Sequence, residues 1–168
     1  MNDGERAAFN EFVQARLPKL LRFGHALTGD PHSGADLVQD ALERAMLAWS
    51  RIDAKDDPEG YVRRIMVNRN VSIWRRHRKE RLTDQPPEKA SGESPGNERD
   101  DGLWEAIKQL PAKQRAVIVL RYYEDLSEVQ IAATMGVSTG TVKSQASRAM
   151  AKLRTLMDEK NLVGGEVR

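Results

Sequence analysis

Residues 127–154 read SEVQIAATMGVSTGTVKSQASRAMAKLR, and their order meets the demands of two helices crossing at a tight turn. Ser127 precedes an acidic first turn at Glu128, as an N-cap does, because its oxygen can accept an amide that the first turn leaves free. Ala132 is small where the helices would approach, Gly136 can take the left-handed conformation of the turn, and Val137 and Val142 are placed to pack inward. Ser138 then caps a second helix presenting Thr139, Thr141, Lys143, Ser144, Ser147 and Arg148, with Lys152 and Arg154 further along. A recognition helix lies in the major groove with its N-terminal part against base edges, and Arg and Ser suit that reading. Arg148 is the expected bidentate guanine contact and Lys143 meets a base or a phosphate, while the amides from Ser138 to Gly140 suit a phosphate at the helix N-terminus. The competing reading is a helical hairpin with an ordinary solvated basic face.

Upstream, Leu103, Trp104, Ile107 and Leu110 mark an amphipathic helix that Pro111 interrupts, and a second helix runs from about Ala112 to Tyr123. Before these, residues 83–101 (TDQPPEKASGESPGNERDD) hold three prolines and two glycines with no apolar periodicity, which reads as a flexible linker. No internal repeat or strand alternation appears on either side, so the expected fold is all-α. It comprises a helical domain over 1–82, the linker over 83–101, a helix-turn-helix domain over 102–158 and a tail over 159–168.

In the N-terminal part, Phe9, Phe12, Val13, Leu17, Leu20, Leu21, Phe23 and Leu27 form a helical stripe that Pro18 is expected to break or bend, and Thr28 to Pro31 ends it. In the next helix Leu37, Val38, Ala41, Leu42, Ala45, Met46 and Trp49 repeat at helical spacing, with Asp36, Asp40 and Glu43 opposite. A loop from Ser50 to Asp57 follows, and Pro58 opens a long helix through about Lys79. On that helix Tyr61, Ile65 and Ile73 are expected to pack inward, leaving Arg63, Val67, Asn70, Trp74 and Arg78 outside. Cations, an amide and an aromatic group together suit strand binding; a solvated helix with Trp74 in the core fits as well. The acidic face likewise fits either simple solubility or a docking surface.

With 39% apolar and 31% charged residues, the chain has the balance of a soluble protein with modest cores. It has no cysteine, which excludes disulfides, thiolate metal sites and cysteine nucleophiles. No apolar run approaches bilayer length, so a cytoplasmic protein without membrane insertion is expected. The net charge of +2 conceals a division: residues 1–61 carry eleven acids against seven Lys and Arg, and residues 62–81 carry eight Lys and Arg against Glu80 alone. Residues 129–157 hold four cations and no acid. Two basic surfaces set among acidic ones suit a polyanion gripped at two places. His25, His32 and His77 are scattered, and no nucleophile–base pair, phosphate loop or metal spacing appears. Neither an enzyme, nor a cofactor, nor a metal site is expected.

The order of segments also resembles a known family. Asp36-Leu37-Val38-Gln39-Asp40-Ala41-Leu42, a basic helix with Val67-Asn68 and Trp74-Arg75-Arg76, a linker, Leu110-Pro111-Ala112-Lys113-Gln114-Arg115, and residues 127–154 are similar to an extracytoplasmic-function sigma factor. Leu27-Thr28-Gly29-Asp30 and Tyr61-Val62-Arg63-Arg64 resemble the actinobacterial SigE-like branch. The resemblance implies that the protein binds RNA polymerase core, recognises −35 and −10 promoter elements and promotes promoter opening. It makes Asp36, Leu37, Gln39, Asp40 and Glu43 candidates for docking on the β′ clamp helices, with the C-terminal domain on the β flap. The loop from Ser50 to Asp57 and Asn68 match the part that captures a flipped −10 base, an event costing a few kcal/mol of unstacking. Arg69, Ser72, Arg75, Arg76 and Arg78 would follow the strand, joined by Arg63, Arg64 and Trp74; Ser138, Thr139, Thr141, Lys143, Ser144, Ser147 and Arg148 would serve the −35 element. An anti-sigma factor is a further partner the resemblance allows.

Tyr61 stands where many members have tryptophan, Ser72 replaces a frequent asparagine, and Ser147 sits where some place an aromatic; these touch the promoter read rather than the fold. The linker, with six acids against Lys89 and Arg99, can mimic nucleic-acid charge in the polymerase channel. The rival reading is a conventional helix-turn-helix regulator whose N-terminal helices sense or dimerise.

Overall fold

A computed structural model describes residues 1–53, 57–81 and 101–165, and every regular element among them is helical. The chain folds as two compact units, one built from α1 (Asp3–Thr28), α2 (Pro31–Leu47), α3 (Trp49–Asp53) and α4 (Pro58–Arg81). The other comprises α5 (Asp101–Lys108), α6 (Ala112–Tyr122), α7 (Glu128–Met135) and α8 (Thr139–Gly165). The expected linker, apart from Asp101, lies outside the described residues. Helix α8 crosses the expected tail boundary at 158 and continues to Gly165.

In the first unit Gly29 (φ 79°) ends α1 and Asp30 caps α2, accepting the Ser33 amide at 2.8 Å. The two helices then return on each other so closely that a Cβ on Gly34 would lie 2.6 Å from the His25 backbone nitrogen. One on Gly24 would lie 2.7 Å from the Gly34 carbonyl oxygen. Both positions therefore require glycine, a demand of packing rather than of dihedral angle. Pro18 does not break α1. It and Gln14, whose carbonyl loses its partner, are both exposed, so water can satisfy that oxygen.

The core joins Phe9, Leu20, Phe23 and Leu27 to Leu37, Val38, Ala41 and Ala45, with Trp49 and Ile52 from α3 and Val62, Met66 and Val67 from α4. Trp49 meets Phe9 edge-on at 5.2 Å between centroids. Two expectations change here. The stretch read as a loop from Ser50 contains α3 through Asp53, because Trp49 and Ile52 bury their side chains; residues 54–56 lie outside the described set. Helix α4 is also turned from the expected register: Val62, Met66, Val67 and Asn70 are buried, while Tyr61, Ile65 and Ile73 are half-buried. Asn70 hides the stripe from a hydrophobicity reading. It is buried because its Nδ2 donates to the Leu27 carbonyl at 3.2 Å, satisfying an oxygen that the last turn of α1 leaves free.

In the second unit α6 is central, with Ala112 and every residue from Arg115 to Leu120 buried. Arg115 explains how a cation belongs there. Its Nε donates to Ile107 O (3.2 Å) and its Nη2 to Lys108 O (2.6 Å) and Leu110 O (2.9 Å), capping the end of α5. Burial pulls the guanidinium down to about 10, which still leaves it charged at neutral pH. Beyond α6, Asp125 (φ 52°) turns the chain into α7.

Candidate functional site

The helix-turn-helix forms as read. Ser127 and Gln130 close a capping box at the start of α7, with Gln130 N–H donating to Ser127 Oγ at 3.1 Å and Ser127 N–H to Gln130 Oε1 at 2.8 Å. Gly136 takes φ 68° at the turn, and Ala132 is 7% exposed. Val142, Ala149 and Leu153 are buried at helical spacing, whereas Val137 is only half-buried. This packing turns Thr139, Thr141, Lys143, Ser144, Ser147 and Arg148 outward, all of them exposed. Ser138 is also clear of the core, but its Oγ is spent on the cap, accepting Thr141 N–H at 3.1 Å and sharing a 3.0 Å bond with Thr141 Oγ1. The first bond into the helix runs from Val142 N–H to Ser138 O (3.1 Å), so the Thr139 and Gly140 amides stay at the open end. Glu128 faces two cations across helices, Arg121 Nη1 at 3.4 Å and Lys143 Nζ at 3.8 Å. Arg148 has no ion pair among the described residues.

In the first unit, Asp36, Gln39 and Glu43 lie along α2 outside the core, the last two joined by a 3.5 Å hydrogen bond. Asp36 has no ion pair or hydrogen bond among the described residues. Two of the docking candidates stand differently. Leu37 is 4% exposed and belongs to the core. Asp40 is half-buried at the seam with α4, where its Oδ2 lies 3.5 Å from Arg44 Nε and 3.3 Å from Arg69 Nε. The same face ends in apolar groups that sequence reasoning passed over: Leu47 is 86% exposed, and Met46, read as core, is 40% exposed. At roughly 100° per residue, Leu47 falls almost in line with Asp36, Asp40 and Glu43.

The same helical arithmetic puts Arg64, Asn68, Ser72 and Arg75 on one face of α4, all exposed. Arg69 flanks this row toward α2, and the exposed Arg76 falls on the same flank. Trp74 and Arg78 fall on the opposite side, with the guanidinium 5.4 Å from the indole centroid. Arg63, expected on the outer surface, has a side chain only 15% exposed and lies 3.4 Å from Glu59. Glu59 also takes Lys19 (2.8 Å) and Arg16 (3.5 Å) from α1. Burial raises its carboxyl, but the Lys19 hydrogen bond and the charges of Lys19, Arg63 and Arg16 outweigh this and hold it below its ordinary range. A lone acid at the head of a basic helix was the available signal for this cluster. The cap by Arg115 was signalled by an arginine inside an otherwise apolar helix.

Both units match known sequences. The description "Sigma-70 region 2" fits residues 12–80, and "Sigma-70, region 4" fits residues 101–153. The chain is 38% identical to the RNA polymerase sigma-E factor of Streptomyces avermitilis, over 96% of its own length and 92% of that protein's. It is 35% identical to the ECF RNA polymerase sigma factor SigL of Mycobacterium tuberculosis, over 92% and 89% of the two chains. Among solved structures it is similar to the sigma factor RpoE, crystallised with the anti-sigma factor NepR from Bartonella quintana. That likeness has a TM-score of 0.68 at 24% identity, covers 90% of this chain and 97% of that one, and speaks for the fold alone. Region 2 falls on α1–α4, region 4 falls on α5–α8, and the chain belongs to the extracytoplasmic-function sigma factors of RNA polymerase, in the actinobacterial SigE-like branch.

Proposed function

We propose that the two units of this sigma factor divide promoter recognition and polymerase docking between them. The row Asp36, Gln39 and Glu43, ending in Met46 and Leu47, docks on the β′ clamp helices of the polymerase core. Acids there draw in a basic partner, and two apolar side chains supply area that water releases on contact. The outer face of α4 guides the −10 strand: Arg64, Arg75 and Arg76 neutralise phosphates, Asn68 meets a flipped base, and Ser72 lines the same face. Trp74 with Arg78 offers an adjacent stacking surface. Helix α8 reads the −35 element through Lys143, Ser144, Ser147 and Arg148, with phosphate held at the Thr139 and Gly140 amides. The second unit also docks on the β flap. An anti-sigma factor is a fitting further partner, since the structural relative named above was solved with one.

The observation that carries this reading is the placement of an acidic and apolar row on α2 beside an exposed row of cations with Asn68 on α4. A lone DNA-binding regulator has no use for the first of these rows. Purified core polymerase plus this protein should start transcripts at promoters that share one −35 and one −10 element. No initiation at any promoter, together with tight binding to duplex DNA by the protein alone, would return the conventional regulator. In the same assay, Asp36→Lys should weaken core binding without lowering the unfolding midpoint; unchanged affinity would remove α2 from the docking surface.

A further inference from the structure

Asp40 sits where the two proposed surfaces of the first unit meet. It belongs by position to the docking helix, yet its Oδ2 lies 3.3 Å from Nε of Arg69 on the DNA-facing helix and 3.5 Å from Nε of Arg44. That oxygen is fully covered, while the two side chains as wholes remain about a third exposed, 33% for Asp40 and 35% for Arg69. Helices α2 and α4 pack through buried residues such as Val38, Ala41, Val62 and Met66, so the fold does not depend on the ion pair. The pair can open while the helices stay together. Asp36, one turn earlier on the same face, has no such partner among the described residues.

We propose that Asp40 is a gate shared by the two surfaces: it withholds Arg69 from nucleic acid in the free protein and yields it when a cation of the polymerase core takes its carboxylate. The inference rests on the docking and strand-binding assignments above. An acid already between two guanidiniums gains little from a third cation unless one leaves, and Arg69 is the one beside the strand-binding row. The contact is an ion pair without a hydrogen bond, since Asp40 Oδ2 has no hydrogen-bond partner among the described residues, and a phosphate that draws the Arg69 guanidinium away likewise frees Asp40 for the core. By linkage each partner then strengthens the other by the same factor.

The test uses the full chain and a fluorescein-labelled oligo(dT) strand, since a phosphate contact needs no particular base. Asp40→Asn, without polymerase, should tighten strand binding roughly fivefold or more. Asp36→Asn removes an acid from the same face without releasing Arg69, so its gain should be distinctly smaller. The Asp40→Asn gain should vanish in the Asp40→Asn, Arg69→Gln double variant. Asp40→Ala repeats the measurement without a polar side chain beside Arg69, and serves if the Asn variant does not fold. Equal gains from Asp36→Asn and Asp40→Asn would overturn the gate, as would a gain that survives loss of Arg69. Weaker binding by Asp40→Asn would also overturn it, making Asp40 a residue that positions Arg69 for the strand. Core binding by the same variants separates the premises: if Asp36→Lys leaves core affinity intact, the docking assignment fails; if only the strand results fail, the gate alone is lost.

Discussion

In the α5–α8 unit, the residues aimed at DNA stand apart from those that build the fold. Val142, Ala149 and Leu153 bury one side of α8, while Lys143, Ser144, Ser147 and Arg148 lie on the rest of it, outside the core. In the α1–α4 unit the two sets mix: Arg63 is tied to Glu59, Arg69 to Asp40, and Asn70 is buried at the end of α1. A reader on one helix face can change specificity without disturbing its scaffold. A surface assembled at a helix seam shares its side chains with the packing, and a change in one is felt in the other.

The largest effects should come from residues that build each scaffold. Gly34→Ala drives a methyl into the His25 backbone, which cannot swing aside as a side chain would, and should cost about 3 kcal/mol or more. Denaturant unfolding followed by NMR should show the loss in resonances of the first unit. Arg115→Met should cost about 2–3 kcal/mol in the second unit, because it strands carbonyls at the end of α5 that the guanidinium now serves. Arg115→Lys should rescue little, since one ammonium cannot reproduce the planar fork that reaches three carbonyls. A small loss in either scaffold would mean that its helices adjust more freely than this packing implies.

The same contrast explains what the sequence reveals. The helix-turn-helix was legible because every requirement is local: Ser127 caps, Gly136 turns, and Val142 follows at a fixed spacing. The acidic face of α2 was legible from periodicity alone. The register of α4 was not, because Asn70 is buried for a hydrogen bond to a residue 43 positions away, which no periodicity reports. The same holds for Gly24 against Gly34 and for Asp40 against Arg69, where the partner lies on another helix. Leu37 was drawn into the docking set by the motif that surrounds it, although its own apolar character pointed to the core.

Smaller effects separate reading from scaffold more finely. Arg148→Ala should lose roughly 1–3 kcal/mol of discrimination at one −35 position, with unfolding unchanged because the side chain is exposed and unpaired among the described residues. Lys143→Ala should instead weaken all sequences alike and reduce the salt slope by about one if its partner is a phosphate. Binding curves at several salt concentrations, on matched and mismatched duplexes, distinguish the two. An equal loss across sequences for Arg148→Ala would demote it to a phosphate contact.

The smallest effect probes the mixing in the first unit through pH. Glu59 is held below the ordinary carboxylate range while Lys19, Arg16 and Arg63 surround it, so folding favours its charged form. Its contribution is therefore complete above the unfolded carboxylate value of about 4.3 and is lost as the pH falls through the depressed folded value. Water still reaches the cluster, and screening should keep the contribution to about 1 kcal/mol or less. Urea midpoints should thus place Glu59→Gln slightly below the parent at neutral pH, with the gap closing as acid protonates Glu59. A gap that stays constant into acid would assign the effect to packing. In that case packing rather than charge would hold Arg63 beside Glu59 and away from the DNA-facing row.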